Sequence, residues 1–174
     1  MNKIGLFYGP LGGNVEAVTK ILVTKIGAEN VELIPVKNAN KEKLESYDKI
    51  IFGISSLGKD AWENDVKTDW DVFLPIVEAA NLSNKTIAAF GLGNAVTYPS
   101  HFVESLGHLG ASLKANGIEL VGEMPNEGFE YQESSAIKDN GNFYGLVLDH
   151  DNEAEKSEAR IEKWIPVIKT AFGF

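Results

Sequence analysis

Three near-continuous apolar runs, Ile4-Gly5-Leu6-Phe7-Tyr8, Lys49-Ile50-Ile51-Phe52-Gly53-Ile54 and Thr86–Gly91, constrain this chain more than any other feature. Runs of this length suit central parallel strands, whose two faces are both covered by helices. Between them the apolar spacing turns helical: Val15, Val18, Leu22 and Ile26 fall on one face. Val31–Val36 alternates as a half-buried edge strand does. The spacing predicts helices over Asp69 to Ala80, Phe102 to Ala115 and Ser157 to Phe172, the last kinked by Pro166. Ile118–Gly122 reads as a further strand, and Phe143–Leu148 as the same sheet position resumed after the polar Gly122–Asn142 excursion. Such alternation predicts an α/β fold with a doubly wound parallel sheet and helices on both faces.

Length and composition narrow the function classes. The 174 residues are read as one domain, 1–174. A formal charge of −9 argues against nucleic acid and favours basic protein surfaces as partners, although acidity that only maintains solubility gives the same number. Without cysteine there are no disulfides, thiolate metal sites or thiol nucleophiles, and His101, His108 and His150 have no metal-ligand spacing. No apolar run approaches the roughly 18 residues of a membrane span. The chain opens on a strand-like run, so a cytoplasmic protein is expected, and nothing in it demands an oligomer.

In such a fold, ligands bind outside the carboxyl ends of the strands. Three turns follow those ends: Gly9–Val15, Ser55–Asp69 and Gly91–Pro99. None offers a nucleophile with a base, or a carboxylate pair to divide acid and base roles. They offer backbone amides, small residues and aromatics, which suits holding a flat cofactor that does the chemistry. The glycine-rich first turn aims amides and a helix N-terminus at one spot, as an anion requires. Yet no Ser or Thr stands between Tyr8 and Thr19.

The runs Gly91-Leu92-Gly93-Asn94, Tyr98-Pro99, Phe102-Val103, Pro125-Asn126-Glu127-Gly128-Phe129, Phe143-Tyr144-Gly145-Leu146 and Leu148-Asp149, with the opening Ile4–Gly9 and Tyr47–Gly53, resemble the flavodoxins of the long-chain group. The resemblance covers nearly the whole chain in one register. It implies a five-stranded sheet with a long-chain insertion in the last strand, one non-covalent FMN, and single-electron shuttling between redox proteins (reductases and oxidoreductases with basic surfaces). No substrate turnover is implied. The acidic surface fits, since negative charge opposes an anionic reduced flavin and steers basic partners.

By the same resemblance, Gly9, Pro10, Leu11, Gly12, Gly13, Asn14 and Val15 face the phosphate. Ser55, Ser56, Leu57 and Gly58 lie on one side of the ring, and Gly91, Leu92, Gly93, Asn94 and Tyr98, with His101 and Phe102 behind them, on the other. Tyr98 falls where the family stacks an aromatic, and Gly58 where its backbone changes a hydrogen bond as the flavin gains a proton.

The departures are informative. The family carries hydroxyls at the positions of Pro10, Gly12 and Val15; their loss is expected to weaken FMN by roughly two orders of magnitude, at about 1.5–3 kcal/mol per charged hydrogen bond. Leu57 replaces an aromatic, and the following segment is enlarged. Its Trp62 is open to three readings: covering the flavin, anchoring a partner, or packing beneath the loop. Asn94 stands where an acid is usual, which is expected to ease reduction. Two other functions remain in view: a binding or regulatory protein that has lost tight FMN, and a flavin-dependent reductase, for which the turns supply no proton donor.

Overall fold

The computed structural model describes residues 3–56 and 67–174. In chain order the elements are β1 (Ile4–Gly9), α1 (Asn14–Ile26), β2 (Val31–Pro35), α2 (Lys41–Glu45), β3 (Lys49–Ser55), α3 (Asp69–Ala79) and β4 (Thr86–Leu92). They continue with α4 (Glu104–Ala115), β5 (Met124–Pro125), β6 (Asn142–Phe143), β7 (Leu146–Leu148) and α5 (Ala154–Phe172). The main sheet has five strands in the order β2-β1-β3-β4-β7, all parallel. The doubly wound α/β expectation is met.

Alternate residues of the strands build two cores. Phe7, Phe52, Ile50 and Ile34 pack with Trp70, Phe73 and Val77 of α3 and Leu106, Leu109 and Leu113 of α4. Leu6, Tyr8, Ile51 and Phe90 pack on the other face against Val18 and Leu22 of α1 and Ile161, Trp164 and Ile168 of α5. The period of two along a strand separates these sets. Capping fixes where α3 begins: the Thr68 hydroxyl accepts from Asp71 N–H, while the Asp71 carboxylate accepts from Thr68 N–H at 2.7 Å.

The fifth sheet position is shared by two pieces. Val121 forms a single parallel bridge with Ala88, its N–H donating to Ile87 O at 2.8 Å. Residues 146–148 then pair with Phe90–Leu92. The chain thus leaves and re-enters one position, as expected. Ile118–Gly122 is nevertheless not a strand beyond that bridge, and Phe143 belongs with Asn142 to a two-residue ladder against Met124–Pro125.

Side chains tie the insertion down. The chain's single arginine, Arg160 on α5, sits 4.0 Å over the Phe129 ring and donates from Nη2 to Gly128 O at 3.0 Å. At the other end Glu123 accepts from Lys138 at 2.7 Å, Asn140 at 3.0 Å and Asn142 at 2.9 Å. Lys138, then Asn142, hold the Glu123 carboxyl below the ordinary carboxylate range. A depressed folded value contributes stability at neutral pH that is lost as pH falls through that value. Acid melts should therefore show a smaller pH dependence for Glu123→Gln than for the wild type below pH ~4.5, with a neutral-pH cost of about 1 kcal/mol. Identical acid slopes would contradict the assignment.

Helix starts differ from the periodicity. Residues 99–101 form a separate helical turn, and Val103 takes φ 48°, ψ 35°, so α4 begins at Glu104 rather than Phe102. α5 begins at Ala154, ahead of Ser157, and runs on through Pro166 as one helix.

Candidate functional site

The sheet order reverses between β1 and β3, so loops leaving their carboxyl ends diverge to opposite faces and open a crevice. Two cavities lie along that rim. One, about 370 Å³, is bounded by Asn14, Ser55, Ser56, Leu92, Gly93, Asn94, Thr97, Tyr98, His150 and Asp151. The other, about 320 Å³, is bounded by Pro10, Ile54, Thr68–Asp71, Leu74, Ser105, His108 and Leu109. Ser55 and Ser56 line both. Ser56 Oγ is buried there and has no hydrogen-bond partner among the described residues, which is costly unless a ligand or water supplies one.

The β1–α1 turn approaches this rim as an open strip of backbone. Gly9 ends β1 in the sheet; Pro10, Gly12, Gly13 and Asn14 are exposed, Leu11 half-buried. Gly13 precedes α1 without any side-chain cap. Gly12 has φ 79°, a region that strongly disfavours a β-branched side chain. Val15, 1 % exposed, faces the core beneath α1. The three positions lacking hydroxyls are thus unlike: Pro10 is open, Gly12 is conformationally restricted and Val15 is interior.

Glu16 reaches back across the turn. Its Oε2 accepts from Gly12 N–H at 2.7 Å and its Oε1 lies 3.0 Å from Lys20 Nζ. The Gly12 amide, then Lys20, hold the Glu16 carboxyl below its ordinary range.

The β4 loop is set from below. Gly91 and Leu92 are buried in β4, and Gly93 donates to Leu148 O at 2.9 Å. A methyl on Gly93 would lie 2.7 Å from Val103 Cγ1, so only glycine fits that approach. Asn94 Oδ1 accepts from Thr97 N–H at 2.8 Å, closing the turn that presents the half-buried Tyr98. His101 is exposed, with Nδ1 2.9 Å from Glu104. Phe102 is fully buried and stacks on Tyr131, so its side chain points into the core. Leu57, Gly58 and Trp62 lie outside the described residues.

The structure adds a fourth segment to the rim. Asp149, 2 % exposed at the end of β7, accepts from Ala95 N–H at 3.0 Å and from Asn152 N–H at 3.1 Å. Asp151 accepts from Asn14 Nδ2 at 2.6 Å and from Asn94 Nδ2 at 3.2 Å, joining the first and fourth strand ends. His150 lines the larger cavity and bonds through Nδ1 to the buried Ser157 hydroxyl at 2.8 Å. The signal for these residues was positional: Asp149 to Asn152 follow the carboxyl end of the fifth strand, as the other turns follow theirs.

Among the described residues no group of His, Asp or Glu side chains could hold a metal ion, and no helix is long and apolar enough to cross a membrane. This is a doubly wound α/β protein with a recessed slot at its switch point. The flavodoxin family model matches residues 6–164, and the chain belongs to the flavodoxin family, itself an example of the switch-point rule. Flavodoxin of Helicobacter pylori is 37% identical over 173 residues, 99% of this chain and 100% of that one. A Picosynechococcus flavodoxin is 34% identical, covering 99% of each. The structure of Fusobacterium nucleatum flavodoxin bound to flavin mononucleotide superposes with a TM-score of 0.82 at 27% identity, covering 99% of each chain.

Proposed function

We propose that the rim holds one FMN and that the chain, as one domain, carries single electrons between redox proteins. The observation that supports this most directly is the buried Ser56 hydroxyl, without a hydrogen-bond partner among the described residues, on the wall shared by both cavities and across from the Gly93–Tyr98 loop. A flavin has the polar edge to satisfy such a group and the flat faces to fill the slot. Among the described residues the rim supplies no nucleophile–base or acid–base pair for turnover of a substrate, and flavodoxins are electron carriers rather than enzymes. FMN provides the one-electron chemistry when bound.

The chain's residues then bind and orient. The amides of Gly12, Gly13, Asn14 and Val15, at the positive end of α1, face the phosphate. Tyr98 stacks on one ring face, worth about 0.5–1.5 kcal/mol beyond burial. The segment from Ser55 onward meets the other face, and Asp149 and Asp151 keep the ring loop docked. The −9 charge steers partners with basic surfaces, and a monomeric, cytoplasmic carrier is part of the same reading.

Freshly purified protein is expected to be yellow, and apoprotein to take up one equivalent of FMN in a fluorescence titration. Colourless protein that neither binds FMN nor is stabilised by it against heat would sink the reading.

A further inference from the structure

The insertion and α5 enclose a further cavity, about 540 Å³, which shares no lining residue with the two at the rim. It lies beside β7, the outermost strand on that side of the sheet, and Leu146 and Val147 form part of its wall. Met124, Phe129 and Phe143 supply further apolar surface, so the space suits a small flat ring. The charged groups around it are unevenly divided. Lys156, Arg160 and Lys163 approach from α5, against Glu155 on the same helix and Glu127 on the insertion. Positive charge is thus in excess here, on a chain whose formal charge is −9.

Arg160 is the anchor of this site. The Phe129 ring at 4.0 Å and Gly128 O at 3.0 Å fix its guanidinium, and Glu153 Oε2 lies 2.7 Å from Nη2. Its Nη1 is buried and has no hydrogen-bond partner among the described residues. A buried donor in that state is costly until an acceptor reaches it. Lys163 follows Arg160 by three residues, on the same side of α5. It is exposed and forms no ion pair among the described residues, whereas Lys156 is paired with Glu153.

We propose that this cavity is a second binding site, separate from the flavin rim, and that it takes an aromatic monocarboxylate. The ring packs among Phe129, Phe143 and Met124, and the carboxylate accepts from Arg160 Nη1 and Lys163 Nζ. One negative charge balances the excess of cations. A phosphate or a dicarboxylate would bring a second charge against Glu127 and Glu155.

The test is an amide NMR titration of the purified protein, with and without FMN, using 2-naphthoate and its neutral counterpart 2-naphthylmethanol. Naphthoate should give saturable shifts in the 128–129, 146–147 and 156–163 amides, whether or not FMN is present. It should bind at least about tenfold more tightly than the alcohol, the scale of one charged hydrogen bond. Lys163→Gln should weaken naphthoate about threefold, as the loss of an exposed charge does. Ala159→Trp places a ring at the cavity wall and should weaken it more than about tenfold. Thermal melts establish that both variants remain folded. No saturable shift, equal affinity for the alcohol, shifts confined to the Ser55–Ser56 and Gly93–Tyr98 amides, or full binding by Ala159→Trp would each overturn the proposal.

Discussion

Replacing Asp149 with alanine is expected to loosen the ring-binding loop and to lower FMN affinity by at least about tenfold. The carboxylate is 2 % exposed and serves two loops at once, through Ala95 N–H at 3.0 Å and Asn152 N–H at 3.1 Å. The Asn152 side chain adds a donor that reaches both oxygens at 3.0 Å. Removal strands the buried Ala95 amide and frees the Asn94–Tyr98 turn. Bonds to a charged acceptor are worth about 1.5–3 kcal/mol each and are not additive here, so a loss of about 3 kcal/mol is reasonable. In a chain of this size that lowers the melting temperature by about 6–12 °C. Asp149→Asn keeps one acceptor oxygen and should fall between. Calorimetry and FMN titration measure the two effects separately. A large loss of stability with unchanged FMN affinity would show that Asp149 serves the core and not the site.

How much of this was legible in the sequence depended on the range of the interaction. The β3 and β4 runs and the α1 and α3 faces declare themselves locally, because burial on one face imposes a period. The start of α4 did not, since Val103 turns left-handed only under tertiary constraint between Gly93 and the core. Nor was the β5–β6 ladder readable, as two residues have no period.

The site divides in the same way. The first, third and fourth strand ends were found from turn chemistry. The 149–152 segment was missed because it acts through Asp151, which reaches Asn14 across 137 positions and Asn94 across 57. That reach also alters one expectation. Asn94 removes an acid from beside the ring loop, but the Asp151 carboxylate lies 3.2 Å from the Asn94 amide, so a negative charge remains there. The turn is a further case: equivalent on paper, Pro10, Gly12 and Val15 differ in exposure and in φ, and these decide what each position could contribute.

Gly145→Ala is expected to be the most damaging glycine-to-alanine change among the described residues. The new Cβ would lie 1.9 Å from Ala89 O and 2.9 Å from Ala89 C, both backbone atoms of β4 that no rotamer change can move. Relief requires the entry to β7 to separate from β4 where Phe90 pairs with Leu146. The displacement would be passed along three paired residues to Leu148, whose carbonyl accepts from Gly93 N–H, and to Asp149 just beyond. Overpacking usually costs about 1–3 kcal/mol; a clash with sheet backbone belongs at or above the top of that range. The melting temperature should fall by about 10 °C and FMN affinity with it. Gly13→Ala is the matched control, because a methyl there meets nothing within 4 Å and the residue is extended at φ −124°. Its apoprotein should melt with the wild type. An equal, small effect of the two alanines would mean that the β4–β7 approach is looser than this geometry, and that the ring loop does not depend on it.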